Sequence, residues 1–290
     1  MTLATLGAIA FSGKAIIVKL AYRYGVDAVT LIMYRMLFAL PLFAALAWWS
    51  TYRRPGGAAA LTRKDWLGVL GLGFCGYYLS SFLDFAGLQY ITASLERLIL
   101  YLNPTFVLVL GWIFYRKRVA PIQVAAMAVS YAGVFVVFRH EITLEGGRSA
   151  LGAALVLASA VSYAVYLVYS GELVRRIGAA RLVGLATMVA CLCCILQFLL
   201  LRPLSAALVA PQVIWLSILN ATLCTVVPVL LVMMAVERIG AALTAQAGMI
   251  GPMSTILMGV LILGEPFNAW IVLGTVLVLG GVFLVSKYKV

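Results

Sequence analysis

Six ionisable side chains fall inside long apolar stretches of this sequence: Lys14, Lys19, Arg35, Asp84, and the adjacent Glu96 and Arg97. A charge in that setting costs about 2.5 to 3.5 kcal/mol on insertion scales, so each needs a partner, an interface or a polar path. Mutual pairing, or snorkelling to a nearby interface, accounts for Lys19, Arg35, Asp84, Glu96 and Arg97 without any ligand. Lys14 differs, because it falls near the centre of its stretch and half a hydrocarbon core is about 15 Å. Two readings of Lys14 stand side by side: a wet cavity in which it meets an anionic group, or a structural contact to carbonyls or a Tyr hydroxyl.

Aromatic residues form a second set. Phe74, Tyr78, Phe82 and Phe85 recur at spacings of three and four, which places them on one helical face. Arg97, Tyr101 and Thr105 share another face, as do Gln246 and Met253. A Tyr joins an apolar ring to a polar hydroxyl and suits a cavity that holds a ring and stays wet. Tyr78, Tyr101 and Tyr163 fall near the middle of their stretches, where an interfacial belt explains them poorly; helix packing remains the alternative. Gln246 is the amide in the middle of its stretch. Pro104 and Pro252 also sit at central positions, where a proline removes a backbone hydrogen bond and kinks a helix. A hinge or gate is the reading favoured for this pair over a static kink.

The elements that must position these residues are membrane helices. Of 290 residues, 65% are hydrophobic and 10% charged, against roughly 45 to 50% and about 25% in soluble domains. Ten apolar blocks can be marked: 2 to 21, 28 to 49, 66 to 89, 93 to 115, 119 to 138, 150 to 171, 182 to 201, 211 to 235, 239 to 264 and 267 to 286. Most approach the length that crosses a core of about 30 Å, and they are too long and too continuously apolar for barrel strands. The fold class is therefore an all-α integral membrane protein.

The net charge of +12 is an orientation signal and implies no nucleic-acid partner. With a cytoplasmic N-terminus, thirteen Lys and Arg fall on the inner side, among them Arg63, Lys64, Arg175, Arg176 and Lys287, and five on the outer side: Arg23, Arg97, Arg139, Arg148 and Arg202. That asymmetry places both termini in the cytoplasm. The five cysteines lie in apolar stretches and read as small core residues, forming neither a disulfide framework nor a metal site. The first block, interrupted by Lys14 and Lys19, reads as a transmembrane helix and not as a cleaved signal peptide. A start almost within the bilayer suggests a longer native N-terminal tail.

The chain repeats itself. A shift of 148 positions lays residues 102 to 138 on 250 to 286 without a gap, with Pro104 on Pro252, Gly111 on Gly259 and Gly133-Val-Phe on Gly281-Val-Phe. The repeats are read as 1 to 143 and 149 to 290. Each holds five helices, an odd number, so the second crosses the membrane in the opposite sense, around a central cavity.

The Phe-Ser-Gly-Lys break that ends in Lys14, the following Val-Lys-Leu, Arg35, the proline pair and the closing Leu-Gly-Glu-Pro-Phe and Gly-Gly-Val-Phe-Leu runs resemble the drug/metabolite transporter superfamily, specifically its EamA-type ten-helix members. Tyr101-Leu-Asn-Pro104 and the aromatic third helix are most similar to bacterial YddG-type aromatic amino-acid exporters. One departure stands out: a glutamate that the family often carries after helix 4, equivalent to Glu265, is Lys117 here.

The resemblance implies a monomeric, multi-pass protein of the bacterial inner membrane that exports aromatic or hydrophobic amino acids and related small metabolites by alternating access. It implies that Tyr78, Phe82, Tyr101, Asn103 and Tyr163 line the substrate cavity, with Lys14 attracting a carboxylate. Lys19, Arg35, Asp84, Glu96 and Arg97 form an outer vestibule. No cofactor or metal is expected. Small four-helix relatives carry their proton on a helix 1 glutamate; with Lys14 in that region and no carboxylate expected at its depth, facilitated transport is favoured, leaving open titration of Asp84 or Glu96. The alternative in the same superfamily is a drug, phosphorylated-metabolite or nucleotide-sugar transporter. An enzyme is disfavoured, since the single histidine, His140, lies outside any catalytic motif.

Overall fold

The computed structural model describes residues 2–52, 61–116, 120–145, 148–232 and 250–287, with 234, 235, 238 and 248. Among the described residues ten helical segments follow one another: α1 (Thr2–Tyr22), α2 (Ala28–Tyr52), α3 (Arg63–Gly87), α4 (Ala93–Tyr115), α5 (Pro121–Glu145), α6 (Arg148–Ile177), α7 (Ala179–Leu201), α8 (Pro211–Val232), α9 (Ile250–Leu263) and α10 (Ala269–Lys287). The first eight are long and apolar enough to cross a membrane, and the last two are shorter apolar helices. Gln246 and Lys117 lie outside the described residues.

Local chemistry sets the ends. Thr62 and Asp65 form a reciprocal capping box at the start of α3, and Thr92 caps α4 through the Leu95 amide. Asp27 accepts from the Val29 amide and the Thr30 hydroxyl at the head of α2 and pairs with Arg202 at 3.1 Å. Partial burial works against the Asp27 carboxylate, but the Thr30 and Arg202 bonds outweigh it and hold its pKa below the usual range.

Many outward-facing side chains, such as Trp48, Trp112, Leu200 and Trp215, are large and apolar. The inside holds small residues that let helices approach, as expected where lipid supplies no hydrophobic drive between helices. The closest example is α5 against α10. A Cβ on Gly133 would stand 2.7 Å from the Gly274 carbonyl oxygen and 3.0 Å from Val278, and one on Gly281 would stand 2.5 Å from the Ala126 carbonyl and meet Ser130. Under the shift of 148, Ala126, Ser130 and Gly133 become Gly274, Val278 and Gly281. Each contact is thus the image of the other, the reciprocity of a two-fold interface.

A second correspondence has no sequence signature. α3 widens into a π-helical stretch at Gly73–Leu79 and α8 does so at Thr222–Val226; residues 74 to 78 shifted by 148 are 222 to 226. The bulge alters the helical phase of α3. Phe74 is exposed and packs its ring on Tyr78 at 5.1 Å, while Tyr78 and Phe82 pack against the core that holds the fully buried Phe85.

Candidate functional site

The buried charges converge. Lys14 of α1 places Nζ 2.5 Å from Asp84 Oδ2 of α3 and 3.5 Å from Glu96 Oε1 of α4, with all three side chains almost wholly buried. Asp84, three residues from the end of α3, and Glu96, in the first turn of α4, lie toward one end of the bundle, and the Lys14 side chain reaches to both. Nothing in the sequence spacing of 70 residues marks the contact of Lys14 with Asp84. Removing one partner of such a buried pair typically costs about 3 to 5 kcal/mol, because the other charge is stranded.

Around this triad the remaining cations are spent on uncharged acceptors. Arg97 donates from Nε to Thr255 Oγ1 of α9 at 2.8 Å and from Nη2 to the Phe11 carbonyl at 3.1 Å. Arg97 and Lys14 both lie over the Phe11 ring, at 5.3 and 5.4 Å. Arg35 donates to Thr225 Oγ1 in the α8 bulge at 3.1 Å and stacks on Phe85 at 5.1 Å. Lys19 donates from Nζ to the Ile91 carbonyl at 2.8 Å.

The two prolines do not simply kink their helices. α4 is interrupted by a turn at Tyr101–Leu102, and Pro104 opens a new helical segment at Asn103–Tyr115. Pro104 has no N–H for the Leu100 carbonyl four residues back, and Asn103 Nδ2 donates to that oxygen at 2.9 Å. The Thr105 hydroxyl adds a bond at 2.7 Å to the Leu102 carbonyl, which already accepts from the Thr105 and Phe106 amides. Pro252 likewise leaves the Gly248 carbonyl without its helical donor. The hydroxyl of Tyr101 supplies it from α4, across the molecule. Ser12 adds a bond to the Gly251 carbonyl at 2.9 Å, so α1, α4 and α9 meet at the Pro252 break.

One end of the bundle is tied by groups that spacing did not single out. Glu265, after α9, accepts the Ala93 amide at 2.7 Å, the Ser94 amide at 3.2 Å and the Ser94 hydroxyl at 2.8 Å, capping the N-terminus of α4. Gly259 leaves room for it, since a Cβ there would lie 2.8 Å from Glu265 Oε2. Glu141 of α5 accepts the Thr92 amide at 3.0 Å, and Arg23 donates to the Leu263 carbonyl at 2.7 Å. The sequence signal for Glu265 was the Leu-Gly-Glu-Pro-Phe run; Glu141 had none.

The aromatic residues divide. Tyr101 joins the charged cluster as neighbour of Arg97 one turn away. Tyr78 and Phe82 pack on the α1–α2–α7 core, with Tyr78 against Phe74 at 5.1 Å. Tyr163 belongs to a separate group, stacked on Tyr166 at 5.6 Å, with Tyr77 and Tyr166 hydroxyls 3.3 Å apart. The five cysteines are free thiols.

Helices broken or bulged along their length, with a lysine and two carboxylates gathered between them, fit a polytopic membrane protein of the transporter class. The chain belongs to the EamA-like transporter family, whose model matches it twice, over residues 1–139 and 150–287. The protein named Uncharacterized transporter YcbK of Bacillus subtilis (strain 168) is 32% identical, the match covering 97% of this chain and 89% of that protein. The same organism's Uncharacterized transporter YetK is 24% identical over 79% of this chain and 70% of its own length. A solved crystal structure shares the fold at a TM-score of 0.61 and 18% identity, covering 98% of this chain and 94% of that one.

Proposed function

We propose that this transporter exports amino acids with aromatic or hydrophobic side chains, and related small metabolites, by alternating access. The observation that carries the reading is the cluster of both signs, Lys14 with Asp84 and Glu96, in which Asp84 Oδ1 and both Glu96 oxygens accept no hydrogen bond. A zwitterion brings an ammonium and a carboxylate together, and a site that serves it needs both charges at one depth. Spare carboxylate oxygens suit the ammonium, and Lys14, released from Asp84 by that ammonium, suits the carboxylate.

Tyr101, Tyr78, Phe82 and Asn103 are proposed to line the path of the side chain, with Tyr163 further along it, and Pro104 and Pro252 to be the points about which the helices move. In the same proposal the two halves, 1 to 143 and 149 to 290, are inverted repeats, the termini are cytoplasmic, the membrane is the bacterial inner membrane and the working unit is a monomer. The end tied by Glu265 is then the outer one.

Counterflow of a labelled amino-acid panel in proteoliposomes tests the reading. Wild type should exchange phenylalanine or leucine above empty liposomes, and Lys14→Ala and Tyr101→Ala, checked for folding, should lose most of that exchange. No movement of any amino acid, or full exchange by both variants, would overturn it.

A further inference from the structure

Glu96 is fully buried, and neither of its carboxylate oxygens meets a hydrogen-bond donor; Asp84 Oδ1 is in the same position. Both carboxyl groups lie against the one Lys14 ammonium, at 2.5 and 3.5 Å, while Lys14 gives its hydrogen bond to the other Asp84 oxygen. An ionised carboxylate only accepts, whereas a protonated one also donates. A single proton on Glu96, directed at Asp84 Oδ1, turns two stranded acceptors into one hydrogen bond and leaves the Asp84 and Lys14 charges balanced. We propose that Glu96 and Asp84 share one proton beside Lys14, and that losing it loosens the end of the bundle held by Glu265.

The surrounding groups favour the shared proton. Facing the pair are Lys14 and Tyr22 from α1, Arg35 from α2, Arg97 from α4 and, beyond Lys14, Cys224 from α8. Arg97 is committed to Thr255 and Phe11, and Arg35 to Thr225 and the Phe85 ring. Among the described residues neither arginine forms an ion pair with either carboxylate. Lys14 is thus left as the single ion-pair partner of two carboxylates, and like charges that close cannot both ionise without repulsion.

The mechanical link follows from position. Glu96 lies in the first turn of α4, whose Ala93 and Ser94 amides Glu265 holds and whose Thr92 amide Glu141 holds. Repulsion that drives this turn away from Asp84 draws those amides off both glutamates. Alternating access requires that end to open, so in this proposal each opening releases a proton from the pair and each closing takes one up; this last clause rests on transport, not on the amino-acid reading.

The test uses the full chain reconstituted in lipid. Infrared difference spectra across the neutral pH range should show a carboxylic-acid carbonyl band that disappears as pH rises and is missing in Glu96→Gln. At each pH, amide deuterium exchange in the 88–95 segment should be compared between the two proteins. Wild type should exceed Glu96→Gln several-fold at the alkaline end and match it at the acidic end.

Absence of a titrating band in wild type overturns the shared proton without recourse to any variant. Equal exchange in the two proteins at every pH overturns the link to the Glu265 end. Should Glu96→Gln not fold, Glu96→Asp keeps a titrating carboxyl at another reach; it must move the band's titration, and an unmoved titration overturns the assignment. Neither readout uses an amino acid, so failure of the export reading is scored separately, in the counterflow assay.

Discussion

α4 and α9 carry prolines at places related by the same shift of 148, yet the two breaks are closed by different means. At Pro104 the stranded Leu100 carbonyl is met from within the same helix by Asn103. At Pro252 the stranded Gly248 carbonyl is met by Tyr101 of α4, some 150 residues away in sequence. The first break is self-contained, whereas the second is held shut by the other half of the molecule. A break satisfied locally keeps its bonds however the halves move; one satisfied from across the molecule must lose a bond when α4 and α9 separate. The two breaks are therefore of unequal character, and under the proposed alternating access the second is a latch as well as a hinge.

Tyr101→Phe should show the largest effect that this asymmetry predicts. It keeps the ring and strands the Gly248 carbonyl, costing about 1 to 2 kcal/mol, or roughly 5- to 30-fold in the balance between latched and open forms. Exchange protection of the α9 amides reads that shift. Pro252→Ala comes next: the restored amide satisfies Gly248 from within α9, so transport should slow by several-fold while thermal stability holds or rises. Normal turnover would show that the proline is only a kink. Asn103→Ala strands the Leu100 carbonyl and should cost about 1 kcal/mol of stability, leaving the α9 exchange pattern unchanged. Pro104→Ala should be smallest, within about 0.5 kcal/mol, because Asn103 already occupies the carbonyl that a new amide would take. A large transport defect in Pro104→Ala with none in Pro252→Ala would reverse the assignment of latch and hinge.

The helices were legible because continuous apolar blocks state their own lengths: the block at 93 to 115 coincides with α4, and most other ends move by a few residues, where caps such as Thr62 with Asp65 start a helix earlier than hydropathy does. The equivalence of Pro104 and Pro252 was legible too, since a shift without gaps aligns them. The manner of closing the breaks was not, because a hydrogen bond from Tyr101 to a backbone carbonyl depends on no residue type at Gly248.

The charges were visible as a set but not as a cluster. The sequence places Asp84 and Glu96 near the ends of their stretches, but does not show the reach of the Lys14 side chain that gathers them into a triad. The π-helical stretches at Gly73–Leu79 and Thr222–Val226 escaped for another reason: an extra residue in a turn leaves no mark in composition. Glu265 could be seen in its motif, but its work at the N-terminus of α4 is a tertiary contact. Its counterpart, Lys117, brings a cation where the second half places an acceptor.

The central claim is that Tyr101 serves the carbonyl that Pro252 leaves unpaired, and a double-mutant cycle of Tyr101→Phe with Pro252→Ala measures it directly through unfolding stability of the reconstituted chain. The account predicts that Tyr101→Phe loses most of its cost once Pro252 is Ala, a coupling of about 1 kcal/mol or more, and that it keeps its full cost when Pro104 is Ala instead. Additive costs in the Pro252 cycle would contradict it.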